Sequence, residues 1–284
     1  MSKKSIILAF ALLCPLALGA QTASSLFWRS DSVQIRKAVS DIPVQYTTIG
    51  HHGPAVENPY YALRIYFNDS GAIDLYSKSG KQMELRKYLW YPTEAQQAAE
   101  GAGCDQYKVA GTVGLGGINL WDGKRAVKLN AKSRTAKVGK TIGGSYAMMT
   151  AYGVPYKGDT LDIQLRVDVR RGSRKAKVTA HLLHGAKAQF YTGVNFHPGV
   201  EVKTGLGYIA TWGIHPEDVS GEPGPVGAGL HWKFRQFTPV VQDGDTYRII
   251  SPRENTVTYW IYAASAKEDE LNTAEKFFNF MLDL

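Results

Sequence analysis

Apolar and polar residues alternate along much of this chain. Every second residue between Leu161 and Val169 is apolar, and the run from Ala176 to Leu182 repeats the alternation after a polar turn at 170–174. Successive side chains of a strand point to opposite faces of a sheet, so a period of two is typical of a strand with one buried face. The two runs therefore predict an antiparallel β-hairpin.

Runs of the same kind recur along the chain. They cover residues 61–67, 72–78, 126–131, 188–196, 208–214, 230–234 and 257–263. Two helices are also predicted. One covers Thr93–Glu100. The other follows the last run, after a capping-box spacing at Ser265–Glu268, with Leu271, Ala274, Phe278 and Met281 on one face. Because strands dominate and no linker divides them, we predict an all-β fold. It is a single large antiparallel β-sandwich domain over residues 21–284 with a C-terminal α-helix.

The first twenty residues have the regions of a signal peptide. A Lys-Lys pair precedes an apolar stretch over residues 6–20, which is short for a membrane span and ends in small residues suited to cleavage. We therefore predict that residues 1–20 are removed, that the mature chain starts near Gln21, and that the protein is periplasmic or secreted. A lipoprotein anchored through Cys14 is the alternative, and the absence of a small residue just before Cys14 disfavours it.

Composition and charge narrow the classes of partner. Hydrophobic residues make up 44% of the chain and charged residues 20%, which excludes a disordered chain. The formal net charge is +8, and it falls to +6 without the two lysines of the leader. That charge suits an acidic partner such as a uronate polymer, or serves only solubility. Without a polybasic run, and in an exported chain, we expect neither a nucleic-acid partner nor a membrane span.

Several catalytic motifs fail on inspection. The glycine-rich segment 111–117 matches neither a dinucleotide fingerprint nor a phosphate-binding loop, and residues 143–147 lack the last glycine of a nucleophile elbow. There is no HExxH motif and no paired-cysteine metal site. We therefore expect no cofactor, and only Ca²⁺ stays open, because its oxygen ligands need no compact motif.

Histidines in turns are the first candidates for chemistry. His51 and His52 precede Gly53-Pro54, while His197 and His215 each precede a proline at the end of a strand-like run. Strand ends of a sandwich collect at its rims, so these loops can converge on one cleft. Imidazole suits proton transfer near neutral pH. The alternative is that each ring only caps its turn in solvent.

Charged and aromatic residues near the first predicted strands are further candidates. Arg64 alternates with Leu63 and Ile65, so it points away from them, either toward a substrate carboxylate or into solvent. Glu57 and Asn58 precede this strand and either bind sugar hydroxyls or build an Asx turn. The segment 84–92 places aromatic rings beside charges, which is typical of carbohydrate sites and equally of an aromatic core.

Four longer segments resemble a known family. They are GHHGPAVENPYYALRIYF, AIDLYSKSGKQMELRKYLWYP, GAGCDQYKVAGTVGLGGINLWDGK and AASAKEDELNTAEKFF. Together they resemble the secreted Bacteroidetes proteins grouped as domain of unknown function 4861, over nearly the whole mature chain. The resemblance implies a fold like the galactose-mutarotase-like supersandwich and a role in degrading pectin and other uronate glycans. It also implies an unsaturated uronyl hydrolase as a functional partner. The middle residue of Gly103-Cys104-Asp105 varies in the family, so Cys104 is not expected to be a nucleophile.

These observations favour a carbohydrate-active protein, and we expect a β-eliminating lyase acting on uronate-containing oligosaccharides. Such a lyase neutralises the uronate carboxylate, removes the proton on carbon 5 and protonates the leaving oxygen. The alternatives are a noncatalytic sugar-binding accessory, a mutarotase-type epimerase, and a glycoside hydrolase using carboxyl groups such as Glu57, Asp105 and Glu217. The candidate catalytic residues are His51, His52, His197 and Tyr88, and the candidate substrate-binding residues are Glu57, Asn58, Arg64, Trp90, Asn195 and His215.

Overall fold

A computed structural model describes residues 21–41, 47–216 and 223–284. The predicted signal peptide with Cys14, part of the strand-like run before His51, and the candidate carboxyl group of Glu217 lie outside the described residues. Among the residues that are described, no helix is long and apolar enough to cross a membrane.

The described residues form eighteen strands and two α-helices. The strands are β1 (Ala23–Ser25), β2 (Lys37–Ser40), β3 (Ala55–Glu57), β4 (Tyr61–Ile65), β5 (Ile73–Ser77), β6 (Asn119–Trp121), β7 (Ala126–Val127), β8 (Ser133–Thr141), β9 (Gly144–Tyr156), β10 (Asp159–Arg170), β11 (Ala176–Leu182), β12 (Ala188–Asn195), β13 (Glu201–Gly205), β14 (Tyr208–Gly213), β15 (Val226–His231), β16 (Val241–Asp243), β17 (Thr246–Glu254) and β18 (Thr256–Ser265). The helices are α1 (Glu94–Glu100) and α2 (Ala274–Leu282). Short 3₁₀ turns occur at Gly50–His52 and Leu183–Gly185.

The strands form two layers. One layer is a nine-stranded antiparallel sheet in the order β13-β14-β15-β18-β11-β10-β9-β8-β2, which we call the large sheet. The other layer contains a four-stranded sheet, β1-β3-β4-β5, called the small sheet, and a five-stranded sheet, β16-β17-β12-β6-β7. Residues 113–116 join these two sheets, because Gly114 bridges to Ile73 of β5 and Leu115 bridges to Val194 of β12. The predicted all-β antiparallel sandwich is confirmed.

The period-two pattern accounts for the core between the layers. In the β10–β11 hairpin Val167 pairs with Val178, and both are fully buried, whereas the intervening Arg166 and Asp168 face outward and are partly exposed. Alternate residues of β4 and β12, such as Leu63 and Val194, reach the same core from the other layer. This burial of apolar faces is the main stabilising contribution to a sandwich.

Some element boundaries differ from the sequence-based prediction. Only Ala126–Val127 of the run 126–131 is a strand, because the next backbone amides turn to bond Asp69 and their own loop. The run predicted at 230–234 is strand at 226–231 instead, where glycines at 227 and 229 interrupt the alternation. Strand β9 was not predicted, because it is buried on both faces over much of its length and so does not alternate.

The C-terminal helix begins later than its predicted capping box. Residues 265–268 form a turn instead, in which the Glu268 amide donates to the Ser265 carbonyl, and α2 starts after Thr273, whose hydroxyl accepts from the Lys276 amide. Its apolar face packs on the outer side of the large sheet over Trp212 and Tyr262. As predicted, Phe278 and Met281 lie in this buried stripe, which Phe277 completes; Leu271 and Ala274 are only partly buried at its edge.

Candidate functional site

The outer face of the small sheet carries charged residues that are nevertheless buried. Glu57 of β3, Arg64 of β4 and Asp74 of β5 point away from the core, opposite in direction to neighbours such as Leu63. The segment 84–105 covers them, since the amides of Glu84 and Leu85 donate to Glu57 and Asp105 contacts Arg64. The small sheet therefore has a second, polar interior on its outer side.

Arg64 lies at the centre of this interior. It is directly opposite Asp74 in the β4–β5 register, and its Nη2 donates to both Asp74 and Asp105. Its Nε and Nη1 have no hydrogen-bond partner among the described residues. Burial raises the pKa of Asp74 to about 7, and the Arg64 guanidinium opposes that rise while Asp105 adds to it. The charge of Arg64 is thus offset inside the protein, which distinguishes it from a free anchor for a substrate carboxylate.

A histidine and a tyrosine lie on the exposed side of the group formed by Arg64, Asp74 and Asp105. His52 Nε2 and the Tyr91 hydroxyl are 3.0 Å apart, and the Tyr91 ring lies 5.4 Å from the Arg64 guanidinium carbon. Burial raises the pKa of Tyr91, with Asp105 adding to the rise, so the hydroxyl stays protonated at neutral pH. Tyr66 donates to Asp74 at 2.8 Å on the same side. The pair therefore combines a proton donor with an imidazole, and both side chains are partly exposed.

An aromatic ring and an exposed cation lie beside the pair. The Trp90 ring is 4.8 Å from the His52 ring, and the Arg29 guanidinium carbon lies 4.1 Å from the Trp90 centroid. Arg29 is exposed, donates to the Thr47 carbonyl at 3.2 Å, and makes no ion pair within the described residues. It also lines a surface groove of about 670 Å³ with Thr47 and its neighbours. A cation held in place against a flat ring is an arrangement that suits the carboxylate of an acidic sugar.

The other two candidate histidines lie at the far end of the polar interior. The His215 ring lies 4.4 Å from Tyr107 and 4.8 Å from His197, while Asn195 Nδ2 and His197 Nε2 both contact the Lys108 carbonyl. Burial lowers the pKa of His215 to about 3 and raises that of Tyr107, with the Asp74 carboxylate adding to the latter. Both rings are thus neutral at pH 7, and Asp74 connects this end electrostatically with Arg64.

His51 differs from His52 although the two are adjacent. Its Nε2 lies 3.1 Å from both the Ser25 hydroxyl and the Leu85 carbonyl, and burial lowers its pKa to about 3, with Arg64 as the second cause. The backbone of the 3₁₀ turn is left-handed at both histidines, with φ of 55° and 59°. At Gly53, φ is 155° and a Cβ would lie 2.0 Å from the Ile65 carbonyl oxygen, so only glycine fits. This strained turn sends His51 inward and leaves His52 at the surface.

The remaining candidates hold the covering segment in place. Glu57 accepts from Lys78 Nζ at 3.2 Å as well as from the two amides named above. Asn58 Oδ1 accepts from the amides of Tyr60 and Tyr61, which makes it an Asx turn between β3 and β4. Tyr88 donates to Glu100 at 2.8 Å rather than contacting a candidate histidine. Of the two tyrosines in segment 84–92, Tyr88 and Tyr91, it is Tyr91 whose hydroxyl contacts His52.

Sequence reasoning had no local signal for Tyr91, which is separated from His52 by 39 positions. A signal did exist for Asp74: it stands between Ile73 and Leu75 just as Arg64 stands between Leu63 and Ile65, so both share the outer face. Burial raises the pKa of Cys104 to about 11, in keeping with a thiol that is not a nucleophile. Within the described residues, no three His, Cys, Asp or Glu side chains are grouped to hold a metal ion.

Comparison with known proteins places this arrangement in a family. The sequence matches the profile described as "Domain of unknown function (DUF4861)" over residues 27–284. The chain belongs to the DUF4861 family. The expected resemblance is therefore confirmed at the level of the family, and the described site lies wholly within the matched residues of this DUF4861 chain.

This DUF4861 chain also has a partial structural similarity to a longer protein. A solved structure, the crystal structure of 4-alpha-glucanotransferase from Thermococcus litoralis, is similar at 11% sequence identity and a TM-score of 0.34. The match covers 74% of this chain and 37% of the glucanotransferase chain, so this chain spans little more than a third of that protein. No curated protein matches the sequence.

Proposed function

We propose that this protein is an exported carbohydrate-active enzyme that cleaves uronate-containing, pectin-type oligosaccharides by β-elimination. The observation that carries the proposal is the 3.0 Å contact between His52 Nε2 and the Tyr91 hydroxyl, beside Trp90 and Arg29. It provides a base and an acid in one place, next to a ring and a cation suited to an acidic sugar.

The contact gives the reaction a closed proton cycle. The imidazole of His52 takes the proton from carbon 5 of the uronate, and the electron pair of the broken C–H bond forms the double bond between carbons 4 and 5. The bond from carbon 4 to the leaving oxygen breaks, and that oxygen takes the proton of the Tyr91 hydroxyl. A proton then passes from His52 to Tyr91 across the 3.0 Å contact and restores both groups.

The substrate carboxylate is assigned to Arg29 rather than to Arg64. Elimination requires a cation that neutralises the carboxylate as negative charge develops on carbon 5. Arg64 is buried and already bonded to Asp74 and Asp105, whereas Arg29 is exposed and has no carboxylate partner in the described chain. In this scheme Arg64 is a positioning residue, because it fixes Asp105 beside the Tyr91 hydroxyl.

A noncatalytic sugar-binding role is the second candidate. It is favoured by the burial of the two carboxyl groups nearest the site, since Asp74 and Asp105 are 1% and 7% exposed and cannot touch a sugar in this conformation. The partly exposed groups of the site are mostly aromatic rings, which suffice for binding alone. Under the lyase role an unsaturated uronyl hydrolase is a suitable functional partner, because the product carries an unsaturated uronate for it to remove.

The test measures formation of the unsaturated uronate by its ultraviolet absorbance on polygalacturonate and on glucuronate-bearing oligosaccharides. Tyr91→Phe is expected to lower kcat roughly 10²–10⁴-fold, because it removes the acid of the reaction. Tyr88→Phe is the matched control, since it also removes one phenolic hydroxyl from the same segment, and it should retain activity. Binding by calorimetry without any absorbance change would favour the accessory role. Full activity of Tyr91→Phe would refute the assignment.

A further inference from the structure

The outer face of the large sheet carries a second feature, on the opposite side of the sandwich from the candidate site. Helix α2 covers this face over β14, β15 and the end of β18. Beside the helix, strands β10, β11 and β18 and the end of β8 leave a groove of about 700 Å³ open to solvent. We call this the basic groove, lined chiefly by Arg166, Arg170, Lys175, Lys177 and Trp260.

Strand register arranges aromatic and charged side chains in a row that crosses the basic groove and ends beside it at Tyr146. Trp260 of β18 pairs with Lys177 of β11, Lys177 with Asp168 of β10, and Asp168 with Tyr146 of β9. Adjacent strands lie about 4.8 Å apart, so the row from Trp260 to Tyr146 spans about 14 Å. That length accommodates a short stretch of an extended polymer lying across the strands.

The basic groove has more positively charged side chains than carboxylates to neutralise them. Asp168 is bonded through both oxygens to Arg166, at 2.8 and 2.7 Å. Arg170, Lys175 and Lys177 make no ion pair with any described residue. Neighbouring cations with no counterion repel one another and attract an anionic ligand, with a strength that falls as salt rises.

From this geometry we propose that the basic groove binds an extended acidic glycan that carries carboxylate or sulfate groups. The two rings of the row already carry cations: Lys175 Nζ lies 4.3 Å from the Trp260 centroid, and the Arg166 guanidinium carbon lies 4.1 Å from that of Tyr146 beside the groove. Rings covered in this way offer little face for stacking nucleic-acid bases. Cations beside the polar side chains of Gln164 and Thr179 instead suit the anionic groups and hydroxyls of a sugar chain. The groove lies apart from His52 and Tyr91, so this inference does not rest on the proposed reaction.

Affinity electrophoresis tests the proposal, with polygalacturonate, dextran sulfate or uncharged dextran cast in the gel. Polygalacturonate or dextran sulfate should retard the protein, their difference showing whether carboxylate or sulfate is preferred, and dextran should not. Lys175→Gln/Lys177→Gln should weaken binding roughly tenfold, as expected from losing two charge contacts. Lys124→Gln/Lys128→Gln, which removes two exposed lysines near β7, is the matched control with the same net charge.

Three results would overturn the proposal: no retardation by either polyanion, equal weakening by the two double variants, or tighter binding of a single-stranded oligonucleotide than of the glycans. Tyr91→Phe is run in parallel and should be retarded like the wild type. Loss of catalysis with retained retardation therefore bears on the proposed function alone, and the reverse bears on the basic groove alone.

Discussion

On both outer faces of the sandwich, charged residues alternate with apolar ones, but the charged residues are buried on one face and exposed on the other. On the small sheet, Arg64 stands between apolar neighbours and is buried beneath a covering segment, with Asp74 and Asp105 bonded to it. On the large sheet, Lys177 stands in the same pattern, between Ala176 and Val178, but faces solvent. A buried cation needs its own counterions because desolvation is costly, whereas an exposed cation is stable alone and is free to meet a ligand. What covers a face of the sandwich, rather than its alternation pattern, therefore determines what its charged residues do.

Removing the Arg64 cation is the strongest test of this contrast. Arg64→Met should lower the free energy of unfolding by about 3–5 kcal/mol, because it leaves two carboxyl groups buried without their cation. Arg166→Met, the matched change on the exposed face, should cost no more than about 1 kcal/mol. Urea denaturation of both variants measures the difference. Equal midpoints would mean that the small sheet's polar interior is hydrated and that the contrast is unfounded.

The covered part of the large sheet provides the next effect. Phe278→Ala should cost on the order of 3 kcal/mol, because it removes a buried ring from the contact between α2 and the sheet. Leu282→Ala, at the exposed end of the same helix, should change stability by no more than about 0.5 kcal/mol. A denaturant midpoint unaffected by Phe278→Ala would show that α2 is not docked there in solution.

A further effect, smaller per pH unit than the effect of either substitution, comes from pH. The folded pKa of His215 is about 3, below its ordinary value of 6.5, so the unfolded chain binds a proton on this ring between those values and the folded chain does not. Stability should therefore fall with pH from about 6.5 towards 3, with at most about 1.4 kcal/mol per pH unit from His215. His51 acts in the same direction, and Asp74, whose folded pKa is raised, acts in the opposite one.

His215→Gln isolates the contribution of that ring. Its unfolding free energy should depend less steeply on pH than that of the wild type between pH 4 and 6.5, as measured by urea titration at each pH. Parallel profiles for the two proteins would place His215 in contact with water and outside the polar interior.

Much of the fold was predictable, and the reasons are local. Strands such as β4, β10 and β11 alternate because one of their faces meets the core and the other does not. Helix α1 was recognisable from its Ala, Gln and Glu residues and from the glycines that follow it, and the structure adds a reciprocal cap between Thr93 and Gln96. By contrast, β9 is buried on both faces and gives no alternation, and the Ser265–Glu268 spacing served a turn because Glu268 bonds Arg174 from a distant strand end.

The candidate site was less predictable because its contacts join distant segments. The alternation around Arg64 correctly indicated a side chain pointing away from the core. It carried no information about Asp105, which comes from a loop 41 positions later and offsets the Arg64 charge. Likewise, the sequence gives no reason to choose Tyr91 over Tyr88, because the choice depends on how the segment 84–92 lies over the sheet.

The short connection at residues 113–116 has a mechanical consequence. On one edge the Leu115 amide donates to Ile73 of β5, and on the other the Gly116 amide donates to Gly193 of β12. Gly114 has a φ of 66°, and a Cβ there would lie 2.2 Å from the Ile73 carbonyl oxygen, so this connection can form only with glycine at position 114. The His52 end of the polar interior belongs to the small sheet, on one side of this connection. The Asn195 end belongs to the five-stranded sheet, on the other side. A force that pulls the small sheet and the five-stranded sheet apart is therefore carried by the few hydrogen bonds that residues 113–116 make to β5 and β12.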